Sequence, residues 1–564
     1  MFKEIRPISS VAINILKKRY FMPGESKWED VVDRVTSYVL SDCDDPEEIE
    51  LTRQMMLNRY FIPNSPCLVN SGKKNGGLAA CFVVDFPDTI EGIYQTKLDF
   101  ALVAKKGGGC GTTLSKLRPK GSPVEGSAHG YSGGPVDFFD TICHDMEVIT
   151  QAGFRQMAMM GTMSAYHPDI LRFINAKETE GKMATTNISV VVDGAFMEAV
   201  ESDLDYQTYF DYSDKRELGP VYNAKDIFNA IVEGAWRNGE PGILFYDKMN
   251  DSPYKYSGQE ILATNPCGEQ PLPFNGVCNL GSLDISKFLE NEGGRLYENW
   301  SLLETATRLS VRFLDSVASK SVYPTQGITK WASENLPVGL GIMGLADYYL
   351  MKGIAYGSDE ALEQLEFIIK FIADIAEDES ISLGDERGVP EACKVLPIPR
   401  RNITTISIAP TGTISLIAGC NSGIEPIFSE IVVRNDKTGT YTFESDLAEK
   451  DYFRCAVSAN GAREVTWEEH VKTQAAAQRF VDSGVSKTIN FPTGTHRDTI
   501  AKSFMLAWEL GCKGITVYRN GSRKVEVLSP KNLKKDLCPV CSSEIIKYDG
   551  CKKCTNCDWS LCDV

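Results

Sequence analysis

The spacing of apolar residues near the start of the chain predicts helices. Between positions 28 and 40 the apolar residues recur at the three- and four-residue intervals of an amphipathic helix: Val31, Val32, Val35, Tyr38 and Val39. The first 60 residues contain no glycine-rich loop of the kind that holds phosphates. We therefore predict that residues 1–60 form a helical region without a separate nucleotide-binding domain.

Two patterns alternate from residue 61 to about residue 525. Short β-rich runs, such as residues 188–192 and 403–408, are separated by long helical runs. One helical run, residues 224–238, ends at Gly239, and another, residues 361–381, is so rich in apolar residues that it predicts a buried helix. Strands that alternate with helices over more than 400 residues favour an α/β body with parallel strands, so we assign residues 61–525 to one such body.

The pattern changes beyond residue 525. A polar linker that contains Lys531, Lys534 and Lys535 leads into a segment dominated by cysteines and turn residues. A segment of about 40 residues buries too little apolar surface to fold alone, so it needs a metal, a disulfide or a docking surface. We separate residues 526–564 as a linker and a cysteine-rich tail.

Composition narrows the class of protein. The formal net charge of -17 argues against broad binding to nucleic acid or to anionic membranes, because both require a cationic surface. The sequence contains neither a secretory signal nor an apolar run long enough to span a membrane, so we expect a cytoplasmic protein. In such a chain, 17 cysteines indicate metal binding or redox chemistry rather than a disulfide framework.

The pentapeptide of residues 265–269 concentrates reactive groups. It reads Asn-Pro-Cys-Gly-Glu, which places the Cys267 thiol between an amide and a carboxylate, and Cys278 follows eleven residues later. A thiol beside hydrogen-bonding groups is typical of a reactive sulfur. The alternative is a buried cysteine in a proline-rich loop, since Pro271 and Pro273 follow closely.

Two further segments have the composition of anion-binding loops. Residues 105–113 combine two lysines, four glycines and two threonines, and residues 409–415 run from a β-rich stretch into a turn with three hydroxyl side chains. Backbone amides and hydroxyls in such turns bind phosphates. The alternatives are a tight structural turn for the first segment and a capped strand-to-helix turn for the second.

Taken in order, the motifs resemble the catalytic subunit of ribonucleotide reductases, most closely the adenosylcobalamin-dependent class II enzymes. The matching segments are residues 61–66, 80–82, 107–121, 159–161, 167–170, 187–189, 265–269, 410–415 and 511–519. The resemblance implies a ten-stranded α/β barrel made of two antiparallel halves, with a finger loop through its centre. It also implies that the barrel centre shields a radical-bearing cysteine from solvent.

The resemblance assigns roles to individual residues. Cys267 is implied to carry a thiyl radical, Glu269 to take the proton of the ribose 3′-hydroxyl, and Asn265 to hold that hydroxyl. Cys81 and Cys278 are implied to form the reducing pair, a pairing that the sequence separation itself does not reveal. The implied substrate contacts are Ser65, Ala80, Cys81, Gly109, Asn265, Pro266, Cys267, Gly268, Glu269, Pro410, Thr411, Gly412, Thr413, Ile414 and Ser415.

The radical source is inferred from Tyr518. Subunits of the family that receive a radical from a separate metalloprotein carry two adjacent tyrosines near the end of the barrel, whereas Tyr518 stands between Val517 and Arg519. Residues 515–523 resemble the class II enzymes, and this resemblance implies adenosylcobalamin as the cofactor. The alternatives are a subunit that needs an external radical partner and a zinc-tailed nucleic-acid-binding protein with an inactive barrel.

The resemblance also implies nucleotide effectors. Residues 153–163 resemble a loop through which deoxynucleotides or ATP select the substrate base, although the methionines at 157–160 are equally consistent with core packing. The family's N-terminal ATP-cone is absent from the sequence. Diphosphate substrates are implied by resemblance, and the sequence leaves monomer and homodimer open. Three positions depart from the usual family residues, namely Cys67, Ala80 and Cys110.

The tail contains two Cys-x-x-Cys pairs with zinc-site spacing, Cys538 with Cys541 and Cys554 with Cys557. Class II tails also carry a terminal cysteine pair that is recharged by thioredoxin or a similar reductant, and Cys557 with Cys562 resembles that pair. We favour zinc on Cys538, Cys541, Cys551 and Cys554, with Cys557 and Cys562 left for redox chemistry. The alternative gives both Cys-x-x-Cys pairs to zinc.

Overall fold

The β-rich runs assemble into two half-barrels of parallel strands. The computed structural model describes residues 1–4, 6–124, 129–151, 155–179, 181–436, 439–445, 447–458, 463–522, 528–530, 545–548, 551–554 and 560–562. The strands of the first half run parallel in this order: Cys81–Val83, Gly109–Thr113, Met159–Ser164, Thr186–Val192 and Gly242–Phe245. The strands of the second half are Val277–Asp284, Val338–Met343, Thr488–Phe491 and Gly514–Arg519, with a short bridging segment at residues 406–408.

Antiparallel pairs at two junctions close the halves into a barrel. Cys81 lies opposite Cys278 at one junction, and Ile243 lies opposite Ile515 at the other. Within the second half, residues 406–408 form parallel bridges to Leu340 on one side and Val485 on the other. The predicted ten-stranded α/β barrel with two antiparallel halves is therefore confirmed.

Helices pack around the barrel, and their ends follow local chemistry. The helix Ala224–Asn238 ends as predicted at Gly239, whose φ of +83° is left-handed and suits a residue without a side chain. The helix Asp359–Arg387 is longer than predicted and is not buried all round, because Phe367 on its outer face is 55% exposed. The apolar content of this helix reflects one broad buried face.

The N-terminal helices pack on the second half of the barrel. Val31, Val32, Val35 and Val39 are fully buried on the helix Trp28–Val39, which confirms the predicted apolar face. They belong to one hydrophobic cluster with residues of the helices Trp300–Lys320 and Asp359–Arg387. Next along the chain, the strand Phe61–Pro63 pairs antiparallel with residues 281–283 and so joins this region to the barrel.

The remaining elements complete the structure. The other α-helices are Ser10–Arg19, Pro46–Leu57, Ser65–Asn70, Ile90–Lys106, Pro135–Val148, Ile170–Ile174, Gly194–Glu201, Tyr246–Asn250, Gln326–Asn335, Leu345–Lys352, Ile414–Ala418, Trp467–Gln478 and Arg497–Glu509, with 3-10 turns at Pro253–Ser257, Ile285–Phe288 and Glu391–Cys393. The other strands are Thr150–Gln151, Arg155–Gln156, Asp205–Asp211, Arg216–Asn223, Ala263–Thr264, Pro271–Leu272, Leu289–Glu292, Arg295–Glu298, Ile431–Asp436, Gly439–Glu444, Leu528–Pro530, Ile545–Tyr548, Cys551–Cys554 and Ser560–Cys562. Among the described residues, no helix has both the length and the apolar character that crossing a membrane requires.

Candidate active site

The pentapeptide forms the tip of a hairpin. The short strands Ala263–Thr264 and Pro271–Leu272 pair antiparallel, and the turn between them is the finger loop, residues 265–270. The side chain of Asn265 fixes this turn by accepting a hydrogen bond of 2.9 Å from the Gln270 amide. Gly268 has a φ of +83°, a conformation that residues with side chains rarely adopt. The sequence therefore folds locally into a tight, internally bonded tip.

Both halves of the barrel hold the finger loop. From the first half, the Asn187 side-chain amide donates a 2.8 Å hydrogen bond to the Pro266 carbonyl. From the second half, the Ser407 hydroxyl and the Gly484 amide donate to the Glu269 carbonyl at 2.9 and 2.8 Å. The tip is thus anchored across the barrel interior, as the resemblance implied for a finger loop.

The glycine-rich segment makes room for the finger. Gly107 ends the helix Ile90–Lys106 with a φ of +94°, and Gly109–Thr113 is a barrel strand. A Cβ atom at Gly111 would lie 1.9 Å from the Thr264 carbonyl oxygen, and one at Gly109 would lie 3.1 Å from Pro266. The glycines of this segment therefore permit close backbone packing against the finger, and the implied substrate contact of Gly109 stays a prediction.

Cys81 and Cys278 are direct neighbours at the junction between the half-barrels. They are opposite partners of an antiparallel pair, so their Cα atoms lie about 4.5–5.5 Å apart and their side chains share one face. That separation is within the range from which a disulfide forms. Both residues are buried, with 4% and 0% exposure, and they share an apolar cluster with Leu280 and Ala409.

Polar groups of the finger loop contact Cys81. The Asn265 side-chain amide donates to the Cys81 sulfur at 3.1 Å, and that sulfur lies 3.7 Å from a carboxylate oxygen of Glu269. Burial raises the pKa of Cys81 well above its ordinary value, and the neighbouring Glu269, Cys278 and Cys267 raise it further. Burial, followed by the charges of Asp482 and Glu269, also raises the pKa of Cys278. Both thiols are therefore held protonated.

Cys267 has a different environment from these neighbours. Its side chain is exposed, whereas Asn265 and Glu269 are each only 2% exposed. The thiol borders a cavity at the junction of Gly242–Phe245 with Gly514–Arg519. The expectation that the barrel centre shields this thiol is therefore not met in the chain alone, where the Cys267 side chain is exposed.

The helix Trp467–Gln478 contributes groups to this cavity that the sequence analysis missed. Gln474 lines the cavity and donates a 2.7 Å hydrogen bond to the Gly514 carbonyl. Lys487 also lines it; this fully buried lysine forms an ion pair with Glu425 and a 2.9 Å hydrogen bond with His470. No motif marks these residues, and only their burial beside Cys267 distinguishes them.

Comparison with known proteins decides the family. The family model for the ribonucleotide reductase barrel domain matches residues 79–394 and 394–518, and the model for the ribonucleotide reductase all-alpha domain matches residues 8–76. The chain belongs to the ribonucleotide reductase family.

Individual relatives agree with this assignment. A vitamin B12-dependent ribonucleoside-diphosphate reductase of Thermoplasma acidophilum is 39% identical over 510 residues, which cover 84% of this chain and 66% of that protein. A protein of the same description from Mycobacterium tuberculosis (strain CDC 1551) is 34% identical over 566 residues, or 93% of this chain and 81% of that protein. The solved alpha subunit of an Actinobacillus ureae class Id ribonucleotide reductase shares the fold, with a TM-score of 0.76 at 21% identity, over 92% of this chain and 99% of that one.

The second anion-binding candidate of this reductase lies beside the cysteine pair. Residues 410–415 follow Ala409, which packs with Cys81 and Cys278, and they lead into the short helix Ile414–Ala418. Thr411 adopts a φ of +49° and accepts a 2.7 Å hydrogen bond from the Gly423 amide. The Ser415 hydroxyl lies 2.9 Å from that of Ser422, a residue absent from the predicted set. The turn is therefore pre-formed next to the opposed pair Cys81 and Cys278.

Three methionines in the predicted effector loop are part of the core. Met157, Met159 and Met160 are at most 3% exposed, and two of them belong to a barrel strand. This agrees with the packing alternative for these side chains. The neighbouring residues 150–151 and 155–156 form a small hairpin, and residues 152–154 lie outside the described residues.

The cysteine tail is described only in part. Cys538, Cys541 and Cys557 lie outside the described residues. The strands Ile545–Tyr548, Cys551–Cys554 and Ser560–Cys562 form a small antiparallel sheet in which the backbone of Cys551 lies opposite that of Cys562. In the described portions of the chain, no group of three or more histidine, cysteine or acidic side chains is arranged to hold a metal.

Proposed function

We propose that this chain reduces ribonucleoside diphosphates to 2′-deoxyribonucleotides through a thiyl radical on Cys267. The observation that carries the proposal is the convergence of Cys267, Glu269 and Asn265 on one finger loop beside the opposed Cys81 and Cys278. The names of the relatives support both the reaction and the diphosphate form of the substrate.

Glu269 and Asn265 are assigned to the ribose 3′-hydroxyl. When the Cys267 radical removes the 3′ hydrogen, the adjacent hydroxyl becomes acidic, and a buried carboxylate within reach takes its proton. Glu269 is buried, and its main-chain carbonyl is held by Ser407 and Gly484, so the carboxylate is attached to a fixed backbone. Asn265 is likewise fixed by the Gln270 amide.

Cys81 and Cys278 are assigned to the reduction step. The 2′-hydroxyl leaves as water with one proton, two S–H bonds are replaced by one S–S bond, and the second proton and the two electrons pass to the substrate carbon. The raised pKa of each thiol keeps its proton available at neutral pH, which suits a group that must donate hydrogen rather than attack as a thiolate. Substrate phosphates are assigned to residues 410–415.

Adenosylcobalamin is our proposed cofactor, in agreement with the vitamin B12-dependent relatives. When bound, it supplies the radical chemistry that oxidises the Cys267 thiol. The cavity beside that thiol fits the adenosine part of the group in its chemistry, because Ser189, Gln474 and Thr516 line it. The Gln474 amide oxygen accepts no hydrogen bond within the described part of the chain although the residue is 2% exposed. A ribose hydroxyl or an adenine amino group would satisfy this buried acceptor.

The first test measures product with each nucleotide. Purified chain with adenosylcobalamin, dithiothreitol and a ribonucleoside diphosphate should yield the deoxyribonucleotide, separated by chromatography, with no second protein added. Cys267→Ala should abolish turnover. The matched control, Cys393→Ala, removes a buried thiol 3.5 Å from the Asn335 carbonyl and should leave turnover intact. Activity that appears only after a radical-generating metalloprotein is added would replace this proposal with the alternative subunit class.

Thioredoxin or a similar reductant is our proposed electron source through the tail. Cys557 and Cys562 are assigned to disulfide exchange, and Cys538, Cys541, Cys551 and Cys554 to zinc. Cys562→Ala should lose thioredoxin-driven turnover and keep turnover with dithiothreitol, and zinc should remain bound by elemental analysis. Loss of zinc in that variant would favour the other allotment of the cysteines.

A homodimer and nucleotide effectors complete the proposal. Ile90, Tyr94 and Leu98 recur every four residues along one face of their helix and are 50–62% exposed, which is typical of a surface that packs against another helix. Tyr94→Glu should shift the mass in solution towards the monomer if this face joins two copies. The effector site is assigned to residues 153–163, where a deoxynucleotide should change which base is reduced fastest.

A further inference from the structure

Tyr20 connects the N-terminal helices to the predicted substrate site. Its phenolic oxygen lies 2.7 Å from the Ser65 hydroxyl oxygen, and the tyrosine is only 3% exposed. Ser65 is one of the implied substrate contacts, whereas Tyr20 belongs to none of the motifs. A partly buried hydroxyl pair of this length constrains the orientation of both groups.

Ser65 lies next to a direct connection with the reducing centre. The amide of the preceding residue, Asn64, donates a 2.9 Å hydrogen bond to the Leu280 carbonyl. Leu280 packs with Cys81 and Cys278 in one apolar cluster. Through this bond, the start of the helix Ser65–Asn70 is fixed relative to the strand that carries Cys278.

Arg34 holds Tyr20 and the Ser65 helix as one unit. Its guanidinium donates to the Leu68 and Ser71 carbonyls at 3.0 and 3.1 Å, which are at the end of the Ser65 helix. The same group donates to the Tyr20 carbonyl at 3.4 Å and pairs with Glu25 at 2.5 Å. Only 14% of the Arg34 side chain is exposed, so its hydrogen bonds to both segments are largely shielded from water. Tyr20 and Ser65 therefore have little freedom to move apart.

We propose that Tyr20 is a positioning residue that makes Ser65 a hydrogen-bond donor to the bound nucleotide. Tyrosine and serine hydroxyls each carry one proton and accept through lone pairs. When Tyr20 donates to the Ser65 oxygen, the Ser65 proton is released from that contact and is directed at an oxygen acceptor. Phosphate and ribose oxygens of a ribonucleotide are such acceptors. The inference rests on the proposed function, since it takes Ser65 as a substrate contact.

The experiment compares Tyr20→Phe with Ser65→Ala. Loss of one oriented hydrogen bond should weaken nucleotide binding about fivefold in each variant. KM should rise by this factor, and so should the Kd of the ribonucleoside diphosphate measured by calorimetry. The kcat of each variant should change less than twofold. The double variant should bind no more weakly than either single variant, because both substitutions remove the same interaction. Tyr349→Phe is the matched control, since its hydroxyl donates a buried 2.5 Å hydrogen bond to the Ala361 carbonyl away from the site.

Three outcomes decide the matter. Weaker binding in Tyr20→Phe with ordinary binding in Tyr349→Phe supports the positioning role. A Kd within twofold of wild type in Tyr20→Phe, or effects that multiply in the double variant, would overturn it. Because calorimetry reads binding directly, a wild-type chain that binds the diphosphate without reducing it would refute the proposed function and still test Tyr20.

Discussion

A methyl group on Gly111 should displace the finger loop. A Cβ atom at this position would lie 1.9 Å from the carbonyl oxygen of Thr264 and 3.0 Å from its carbonyl carbon. Both are main-chain atoms, so no side-chain rotation relieves the overlap. Gly111→Ala therefore forces either the barrel strand or the root of the finger to move.

The overlap between the added Cβ atom and Thr264 determines how far the backbones separate and how much kcat falls. Cβ atoms essentially never approach another heavy atom closer than 3.0 Å, so the two backbones must separate by at least about 1.1 Å. A displacement of about 1 Å in a catalytic group costs roughly 100-fold in rate, or about 2.7 kcal/mol of activation free energy. We expect kcat to fall about 100-fold, because Cys267 and Glu269 both follow Thr264 on the finger.

The assay is deoxyribonucleotide formation per folded molecule, with the folded fraction taken from a thermal melt. Gly161→Ala is the matched control: its Cβ would meet the Phe139 ring at 2.6 Å, so it strains the packing behind the adjacent strand without touching the finger. That variant should lose thermal stability and keep its kcat. Gly494→Ala, with no atom within 4 Å of the added carbon, should change neither quantity. A Gly111→Ala enzyme with kcat within threefold of wild type would refute the reasoning.

Two further predictions concern access and ionisation. Iodoacetamide should modify Cys267 before Cys81 or Cys278, because the Cys267 thiol is exposed while burial raises the pKa of the other two thiols. Peptide mass spectrometry gives the order of modification, and earlier modification of Cys81 would contradict the prediction. Burial raises the pKa of Asp347 to about 6, so the folded chain holds this proton more tightly than the unfolded chain. The resulting stabilisation is complete below about pH 4 and is lost as the pH rises to about 6, a change of about 3 kcal/mol. In Asp347→Asn, the new amide oxygen can still accept a hydrogen bond from the Asn421 amide. This variant should raise the melting temperature more at pH 7.5 than at pH 4. Equal shifts at the two pH values would contradict a raised pKa of Asp347.

Local patterns predicted much of the fold. The periodicity of residues 28–40 and the stop at Gly239 depend on neighbours in sequence, and the structure contains both features. Barrel closure is different, since it depends on pairing between distant segments. Residues 406–408 join the second half-barrel through isolated bridges alone, and the β-rich composition of that run does not reveal its partners, Leu340 and Val485.

The site was predictable where motifs repeat the family pattern and unpredictable elsewhere. The finger loop was identified from five residues, but the register that places Cys81 opposite Cys278 comes only from the fold. Gln474 is a single polar residue on an ordinary helix, and Tyr20 is the cap residue after another. Their significance lies in burial and in a partner far away in sequence, neither of which a local pattern contains.

Gly268 explains how one turn serves two opposite chemical demands. In the proposed mechanism, Cys267 is reached by a radical source and by the ribose, so its thiol has to be open to the cavity. Glu269 is proposed to act from a buried pocket close to Cys81, where a carboxylate takes and returns a proton without exchange with bulk water. Two residues apart on an extended strand would face the same side of the chain. The left-handed φ of +83° at Gly268 breaks that alternation, so an exposed Cys267 and a buried Glu269 can lie two residues apart in one turn.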